Sequence, residues 1–387
     1  MTRILDINYQ TPRLFGEFFK KYNLSIDNLD NVNGLYDVVI CHREGIQDVD
    51  FSEIEQYCHK DTKIVCDITT ESGNIQCFLD SFKEITDNND YQFYLIADTD
   101  LTKYFERVSV KYKTLQSYSL SYYAFLNEMG DNRMSLSTEF SAYENSFMSL
   151  NNSCRNHRVL LLSKLINRNF DLTNCSFLLT TASDVGYIHN RKMYKDTLDS
   201  LIELKLISLD DKKKLEVYSL PKQLDVDFRE LGYLPNSINK HIYKPILNLV
   251  TENLFGVSHG DITEDKIVTF TEKVMKPFQA RQIPLFIGLP NLQDTLRKLG
   301  FDLFDDLIDT SFESEENHSI RMDKILDELE RLLTLDLVKF KQNNLERFES
   351  NYNLLNKLRD EGRTLVEIFL LENNIFNIEK SKQSIKK

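Results

Sequence analysis

The chain has 387 residues, of which 41% are hydrophobic and 28% are charged, and its net charge at pH 7 is −13. Such a composition supports substantial apolar cores, and the length predicts two domains. No apolar run approaches the roughly 20 residues that cross a bilayer, and the N-terminus lacks a secretory signal, so we expect a cytoplasmic protein.

Acidic residues are concentrated in the first part of the chain. Residues 1–150 carry 13 Lys/Arg and 24 Asp/Glu, whereas the remaining residues carry 34 and 36. An acidic domain repels polyanions, which argues against a large nucleic-acid interface. A local interface stays open, because basic residues cluster among aromatic ones at Lys103, Arg107, Lys111 and Lys113.

The six cysteines form no CxxC pair and have no zinc-ligand spacing. Cys41 and Cys66 lie within apolar runs that are typical of strands. We therefore predict buried free thiols and no structural metal.

The first part of the chain alternates predicted strands with predicted helices. Compact apolar runs that predict strands occur at Tyr36–Cys41, Lys63–Ile68 and Tyr91–Ala97. Helices are predicted at Leu14–Tyr22, Phe51–Cys58 and Ile75–Ile85. Strands that alternate with helices indicate a parallel, Rossmann-like sheet.

The same alternation resumes after an irregular polar segment, and we place a domain boundary at residue 145. Strands are predicted at Phe147–Leu150 and Phe177–Thr180, with a helix at His157–Ile166. A helix at Pro290–Leu299 has proline in its first turn. A long helical pattern then covers Ser319–Leu358.

The segment Ile267–Gly288 has the pattern of a strand at Ile267–Phe270, a capped helix, and a second strand at Ile283–Ile287. Thr271 is the predicted N-cap, and Glu272 and Lys273 open the helix. Helix N–H groups and a lysine ammonium meet at this corner, which favours a phosphate.

A second corner of the same kind opens the helix that follows Phe147–Leu150. Arg155, His157 and Arg158 lie at its start. Cations at a helix N-terminus oppose the helix macrodipole, so an anionic ligand would explain their presence.

The triplet Thr271–Lys273 and the later Ile-Pro-x-x-x-Gly at Ile283–Gly288 resemble the nucleotide-binding signature of the α-1,3-fucosyltransferase family. Stretches around it are similar to viral and bacterial glycosyltransferase-like proteins, and the resemblance covers residues 147–335. Where relatives often have glycine before the Ile-Pro step, this chain has Arg281-Gln282, so the turn is expected to differ.

The resemblance implies an α/β fold of two Rossmann-like domains that face a cleft, the GT-B glycosyltransferase architecture, with a long C-terminal helical segment. Residues 1–145 would be the acceptor domain and residues 146–345 the nucleotide-sugar-binding domain. Residues 346–387 would be a C-terminal helix and polar tail. In that family the glutamate of the triplet is associated with the ribose and the lysine with the diphosphate, roles that fall on Glu272 and Lys273.

The expected reaction moves a sugar from a nucleotide-diphosphate donor to an acceptor hydroxyl, without cofactor or metal. Basic side chains would neutralise the departing diphosphate in place of a metal ion. The candidate donor-binding residues are Arg155, Arg158, Glu252, Thr271, Glu272 and Lys273.

A general base for the acceptor hydroxyl should lie at the carboxyl end of a strand in the first domain. Glu71 fits best, and Glu44 and Asp98 fit nearly as well.

Three alternatives remain open at this point. Asp98-Thr99-Asp100 matches the DxD of metal-dependent GT-A enzymes, although chance matches also occur at Asp48/Asp50 and Asp225/Asp227. The Trp-free, Asn-, Lys- and Ile-rich composition suggests a virus or phage, so the acceptor is either a glycan or a hydroxymethylated base in phage DNA. The third alternative is a non-catalytic interaction module.

Overall fold

The computed structural model describes residues 3–7, 15–28, 31–42, 55–68, 91–97, 112–120, 123, 143–151, 154–177, 188–217, 244–252, 255 and 271–376. These residues form an α/β protein with two parallel sheets. None of the helices in this part of the chain is long and apolar enough to cross a membrane.

The first sheet has six parallel strands in the order β2-β1-β3-β4-β5-β6. They are β1 (Ile4–Asp6), β2 (Asp27–Asn28), β3 (Tyr36–His42), β4 (Cys58–Ile68), β5 (Gln92–Ala97) and β6 (Tyr112–Gln116). One face packs against helix α1 (Gly16–Tyr22) and the end of the last helix, in a core that includes Phe18, Ile40 and Leu370. The predicted parallel sheet is therefore present in this part of the chain.

The second sheet has four parallel strands in the order β10-β9-β7-β8. They are β7 (Glu144–Asn151), β8 (Cys175–Phe177), β9 (Pro245–Thr251) and β10 (Ile283–Ile287). β9 and β10 are buried along their whole length, as expected of parallel strands covered on both faces. Because the strands are parallel, their carboxyl ends meet at one edge of the sheet.

The apolar core of unit 2, which extends from Phe147 to Phe348, combines strand residues with residues of several surrounding helices. Eight helices follow or connect these strands in the described residues. They are α2 (Asn156–Asn167), α3 (Ile188–Glu203), α4 (Leu209–Val217), α5 (Glu272–Gln279), α6 (Leu292–Lys298), α7 (His318–Leu333), α8 (Leu337–Asn343) and α9 (Leu345–Glu372). A 3-10 helix covers Thr310–Ser314.

The chain divides into two compact units. Unit 1 comprises Met1–Asp131, Thr269–Glu272 and Asn356–Lys387, and unit 2 comprises Asn132–Val268 and Lys273–Leu355. The first sheet belongs to unit 1 and the second to unit 2, and α9 contributes residues to both units.

Two secondary-structure predictions were wrong where the structure describes them. The helix predicted at Phe51–Cys58 does not reach its end, because strand β4 begins at Cys58. The single helix predicted over Ser319–Leu358 is three helices, because the Asp336 side chain accepts the N–H of Lys339 and starts α8 anew. The described cysteines, Cys41, Cys58, Cys66, Cys154 and Cys175, are buried free thiols.

The turn between α5 and β10 contains Arg281, just before the Ile-Pro step of the sequence. Arg281 has a φ of 52°, in the left-handed region where glycine is favoured. Its guanidinium stacks 3.9 Å from the ring centroid of Tyr352 and pairs with the carboxylate of Glu349. These contacts hold the turn in place of a glycine.

Candidate functional site

Polar side chains link the strands near the carboxyl edge of the second sheet. The Thr251 hydroxyl donates to Asn151 Oδ1 at 2.6 Å, and Asn151 Nδ2 donates to Ser149 Oγ at 3.0 Å. Ser149 Oγ in turn donates to the carbonyl of Leu249 at 2.9 Å. These buried hydrogen bonds fix the ends of β7 and β9, from which the functional side chains project.

The start of α2 carries three functional candidates of the sequence, Arg155, His157 and Arg158. Arg155 has an extended backbone at the N-cap and makes no side-chain capping bond. His157 and Arg158 are each only 1% exposed. The first turn of this helix contains no acidic residue. The structure therefore buries a cation at a helix N-terminus, where the macrodipole disfavours it.

His157 joins the start of α2 to the end of β9. Its Nε2 lies 2.8 Å from the backbone carbonyl of Glu252, and because a carbonyl only accepts, Nε2–H is the donor. Burial lowers the pKa of His157 well below its ordinary value, and the positive charges of Arg158, Arg155 and Lys273 lower it further. The imidazole is thus neutral, and these three cations all act on it.

Glu252 is buried at the end of β9, 4% exposed, and its N–H donates to the carbonyl of Ile287 at 2.9 Å. A Cβ placed on Gly288 would lie 3.6 Å from Glu252 Cβ and 2.5 Å from Leu292 Cδ2. Gly288, the glycine of the Ile-Pro-x-x-x-Gly pattern, therefore leaves room at this edge for the side chains of Leu292 and Glu252.

Helix α5 begins at Glu272, immediately after the buried Thr271, and Lys273 follows in its first turn. Lys273 is half-buried. Val274 and Phe278, 0% and 1% exposed, form the buried face of the helix, which the sequence pattern predicts. Burial of this face fixes the position of the start of α5, and therefore also the position of Lys273.

Two further residues complete the edge and were missed by sequence reasoning. Arg321 and His318 lie in the first turn of α7, and both contact the ring of Phe255. Arg321 stands one turn before Ile325 and Leu329, so it begins the buried stripe of its helix. The signal that the sequence offered for Arg321 was a charged residue at the first position of an apolar stripe.

Several candidates of the sequence lie outside the described residues. Among them are the proposed base Glu71, its rivals Glu44 and Asp98, the DxD residue Asp100, and the basic residues Lys103, Arg107 and Lys111. Lys113 is described and lies exposed in β6. Among the described residues, no group of three His, Cys, Asp or Glu side chains could hold a metal ion.

The site that the structure assembles in unit 2 is a set of cations at the carboxyl edge of a parallel sheet. Arg155 and Arg158 lie at the start of α2, where His157 contacts the end of β9, and Lys273 lies in the first turn of α5. The charges of these three residues lower the pKa of His157, and Arg321 contacts Phe255 and Gly288. Open parallel sheets bind ligands at this edge, and cations with helix N-termini there suit a phosphate.

Comparison of the chain with protein-family models, with curated proteins and with solved structures found no significant match.

Proposed function

We propose that this chain is a GT-B glycosyltransferase that transfers a sugar from a nucleoside-diphosphate donor to an acceptor hydroxyl without a metal ion. The observation that carries the proposal is the burial of Arg158 and His157 at the start of α2, which the hydrogen bond from His157 Nε2 to the Glu252 carbonyl joins to the end of β9. Two parallel α/β units are compatible with the fold, and the Thr-Glu-Lys and Ile-Pro-x-x-x-Gly pattern of the sequence agrees with it.

In this proposal the basic residues bind the diphosphate. Charge develops on the leaving nucleotide during sugar transfer, and fixed cations stabilise it without the reorganisation that water would require. Lys273 and Arg158 have this role, and Arg155 assists them. His157, held by the Glu252 carbonyl, fixes the start of α2 against the end of β9.

The remaining roles rest on the sequence resemblance. Glu272 would bind the ribose, with Thr271 at the helix start, and Glu252 would bind a sugar hydroxyl. Glu71 is the proposed general base for the acceptor, which we take to be a glycan. A hydroxymethylated DNA base is the alternative acceptor.

A thermal-unfolding panel with UDP-, GDP- and CMP-linked sugars tests the proposal. A donor at 100 times its Kd should raise the free energy of unfolding by about 2.7 kcal/mol. No stabilisation by any donor would contradict the proposal and favour a non-catalytic interaction module.

Lys273→Ala is the decisive variant for the donor that binds. Loss of a charge-assisted phosphate contact should weaken binding by about 1.5–3 kcal/mol, with little change in the stability of the free protein. Lys298→Ala is the matched control, because Lys298 is exposed in the last turn of α6. Equal donor affinity of the Lys273 variant and the parent would show that this corner is not the phosphate site.

A further inference from the structure

The guanidinium of Arg321 has an unusual environment for a buried arginine. The residue is 2% exposed, and its Nη2 donates to the carbonyls of Phe255 and Gly288 at 3.1 and 2.8 Å. The ring centroid of Phe255 lies 4.4 Å from Cζ. Nε and Nη1 are buried and have no hydrogen-bond partner among the protein groups present. Of the five N–H donors of an arginine, three are therefore left without an acceptor.

Other arginines of unit 2 that lie on its helical shell are paired with acids. These pairs are Arg168 with Asp323 and Asp327, Arg281 with Glu349, Arg297 with Asp305 and Glu313, Arg331 with Glu328, and Arg347 with Asp302 and Asp306. Arg321 forms no ion pair with the described residues, and burial alone lowers its pKa, to about 10. A buried cation without a counter-charge is destabilising, so its presence needs an explanation beyond packing.

Arg321 lies at the same edge of the sheet as the candidate donor site. Its contact with the Gly288 carbonyl places it at the end of β10, and the Glu252 side chain lies beside Gly288. The Phe255 ring lies between His318 and His157, with centroid distances of 5.7 and 5.8 Å. One aromatic ring therefore connects Arg321 to the histidine on which Arg155, Arg158 and Lys273 act.

His318, in the same turn of α7 as Arg321, is a second side chain with a buried polar atom that has no hydrogen-bond partner among the described residues. Its Nδ1 is also buried without a hydrogen-bond partner among the groups present, and the pKa of His318 is lowered by burial and by the charge of Arg321. Two side chains of the first turn of α7 thus offer unsatisfied polar atoms. Buried polar groups normally have a partner, so an acceptor from outside the chain is the expected complement.

We propose that Arg321 binds the second phosphate of a nucleoside diphosphate whose first phosphate is bound by Lys273 and Arg158. This inference rests on the proposed function. It adds Arg321 to the donor-binding residues and assigns the two phosphates to different side chains. The fixed carbonyl contacts of Nη2 orient the guanidinium, and the free N–H groups of Nε and Nη1 donate to phosphate oxygens.

The competing explanation is purely structural, since Arg321 also ties the end of β10 to Phe255. Comparison of a nucleoside diphosphate with the monophosphate of the same base separates the two explanations. A phosphate ligand affects only the diphosphate, whereas a structural residue affects both nucleotides alike.

The experiment measures the Kd of UDP, UMP, GDP, GMP and inorganic pyrophosphate by calorimetry for the parent, Arg321→Lys and Arg321→Met. We expect diphosphate affinity to fall about tenfold or more in Arg321→Met, and monophosphate affinity to change less than about twofold. Arg321→Lys keeps the charge and guards against loss of folding, and it should show the same selectivity in weaker form. Arg331→Lys, on the same helix and already paired with Glu328, is the matched control.

An unchanged ratio of diphosphate to monophosphate affinity in both variants would overturn the role of Arg321 and leave the proposed function intact. Binding of pyrophosphate but of no nucleotide would contradict both the nucleoside-diphosphate role of Arg321 and the proposed function. Absence of binding of every probe to the parent protein would overturn both.

Discussion

Lys341 should make the stability of unit 2 depend on pH in the alkaline range. The residue is 2% exposed, and its Nζ donates to the carbonyl of Arg281 at 2.5 Å. Burial, assisted by the charge of Arg281, lowers the pKa of Lys341 to about 7. The Tyr143 ring, whose centroid lies 3.3 Å from Nζ, opposes this shift, because an aromatic face favours a cation. We take burial to be the larger effect.

The sign of the effect follows from the two pKa values. The unfolded chain keeps the lysine proton up to about pH 10.4, whereas the folded chain releases it near pH 7. Unfolding between these values takes up a proton, so the free energy of unfolding rises with pH. Between pH 7 and pH 9 the expected gain is about 2 kcal/mol.

Lys341→Met tests this expectation, because methionine fills a similar volume and does not titrate. Urea unfolding of the parent and the variant at pH 7, 8 and 9 gives the difference in their free energies of unfolding. This difference should change by about 2 kcal/mol in favour of the parent as the pH rises. Burial raises the pKa of Cys58 to about 12, and the contribution of this thiol to the pH dependence is the same in parent and variant, so it cancels in the difference. A difference that stays constant from pH 7 to pH 9 would show that Tyr143 keeps the lysine charged.

Two other predictions concern the catalytic proposal and the sheet. Transfer activity with a nucleotide sugar should survive chelation by EDTA, because fixed cations replace the metal. Activity that is lost with EDTA and restored by manganese would favour the DxD alternative at Asp98 and Asp100. Gln282→Leu should lower the free energy of unfolding by about 1–3 kcal/mol, because it removes the partner of Asn248 Nδ2 and of the Pro245 carbonyl, and Asn248→Leu/Gln282→Leu should recover part of the loss. Denaturant midpoints of the single and double variants measure this, and a double variant less stable than Gln282→Leu would contradict the reasoning.

The sequence predicted elements best where the apolar pattern and the turn signals agree. Strand β10 at Ile283–Ile287 follows its predicted bounds, because five buried residues lie between the Arg281 turn and Gly288. Strand β4 was only half predicted. Its first residues are polar, and its pairing shifts from Tyr36↔Cys58 to Val38↔Lys63. A turn in which His59 N donates to Thr62 Oγ1 produces this irregularity, and an alternating pattern cannot show it.

The candidate site was predictable only where its residues open a helix after a strand. Arg155, Arg158 and Lys273 have that position, and their positive charges lower the pKa of His157. The contact that brings His157 to β9 uses a backbone carbonyl of Glu252, which carries no signal in the sequence. Arg321 comes from a helix distant in the chain, so only tertiary packing reveals its place.

The charge distribution at the helix starts is the strongest argument that the edge binds an anion. Helices α4 and α6 follow the usual rule and carry acids in their first turns, at Asp210, Asp211 and Asp294. The first turns of α2, α3, α7 and α8 contain no acid, and those of α2 and α7 hold the buried Arg158 and Arg321. In a chain with a net charge of −13, acids were abundantly available for these positions. The helix dipole and burial disfavour both arginines in the free protein, and Arg321 in addition forms no ion pair with the described residues. A bound anion reverses each of these effects at once, and phosphate is the anion that helix N-termini and guanidinium groups bind together.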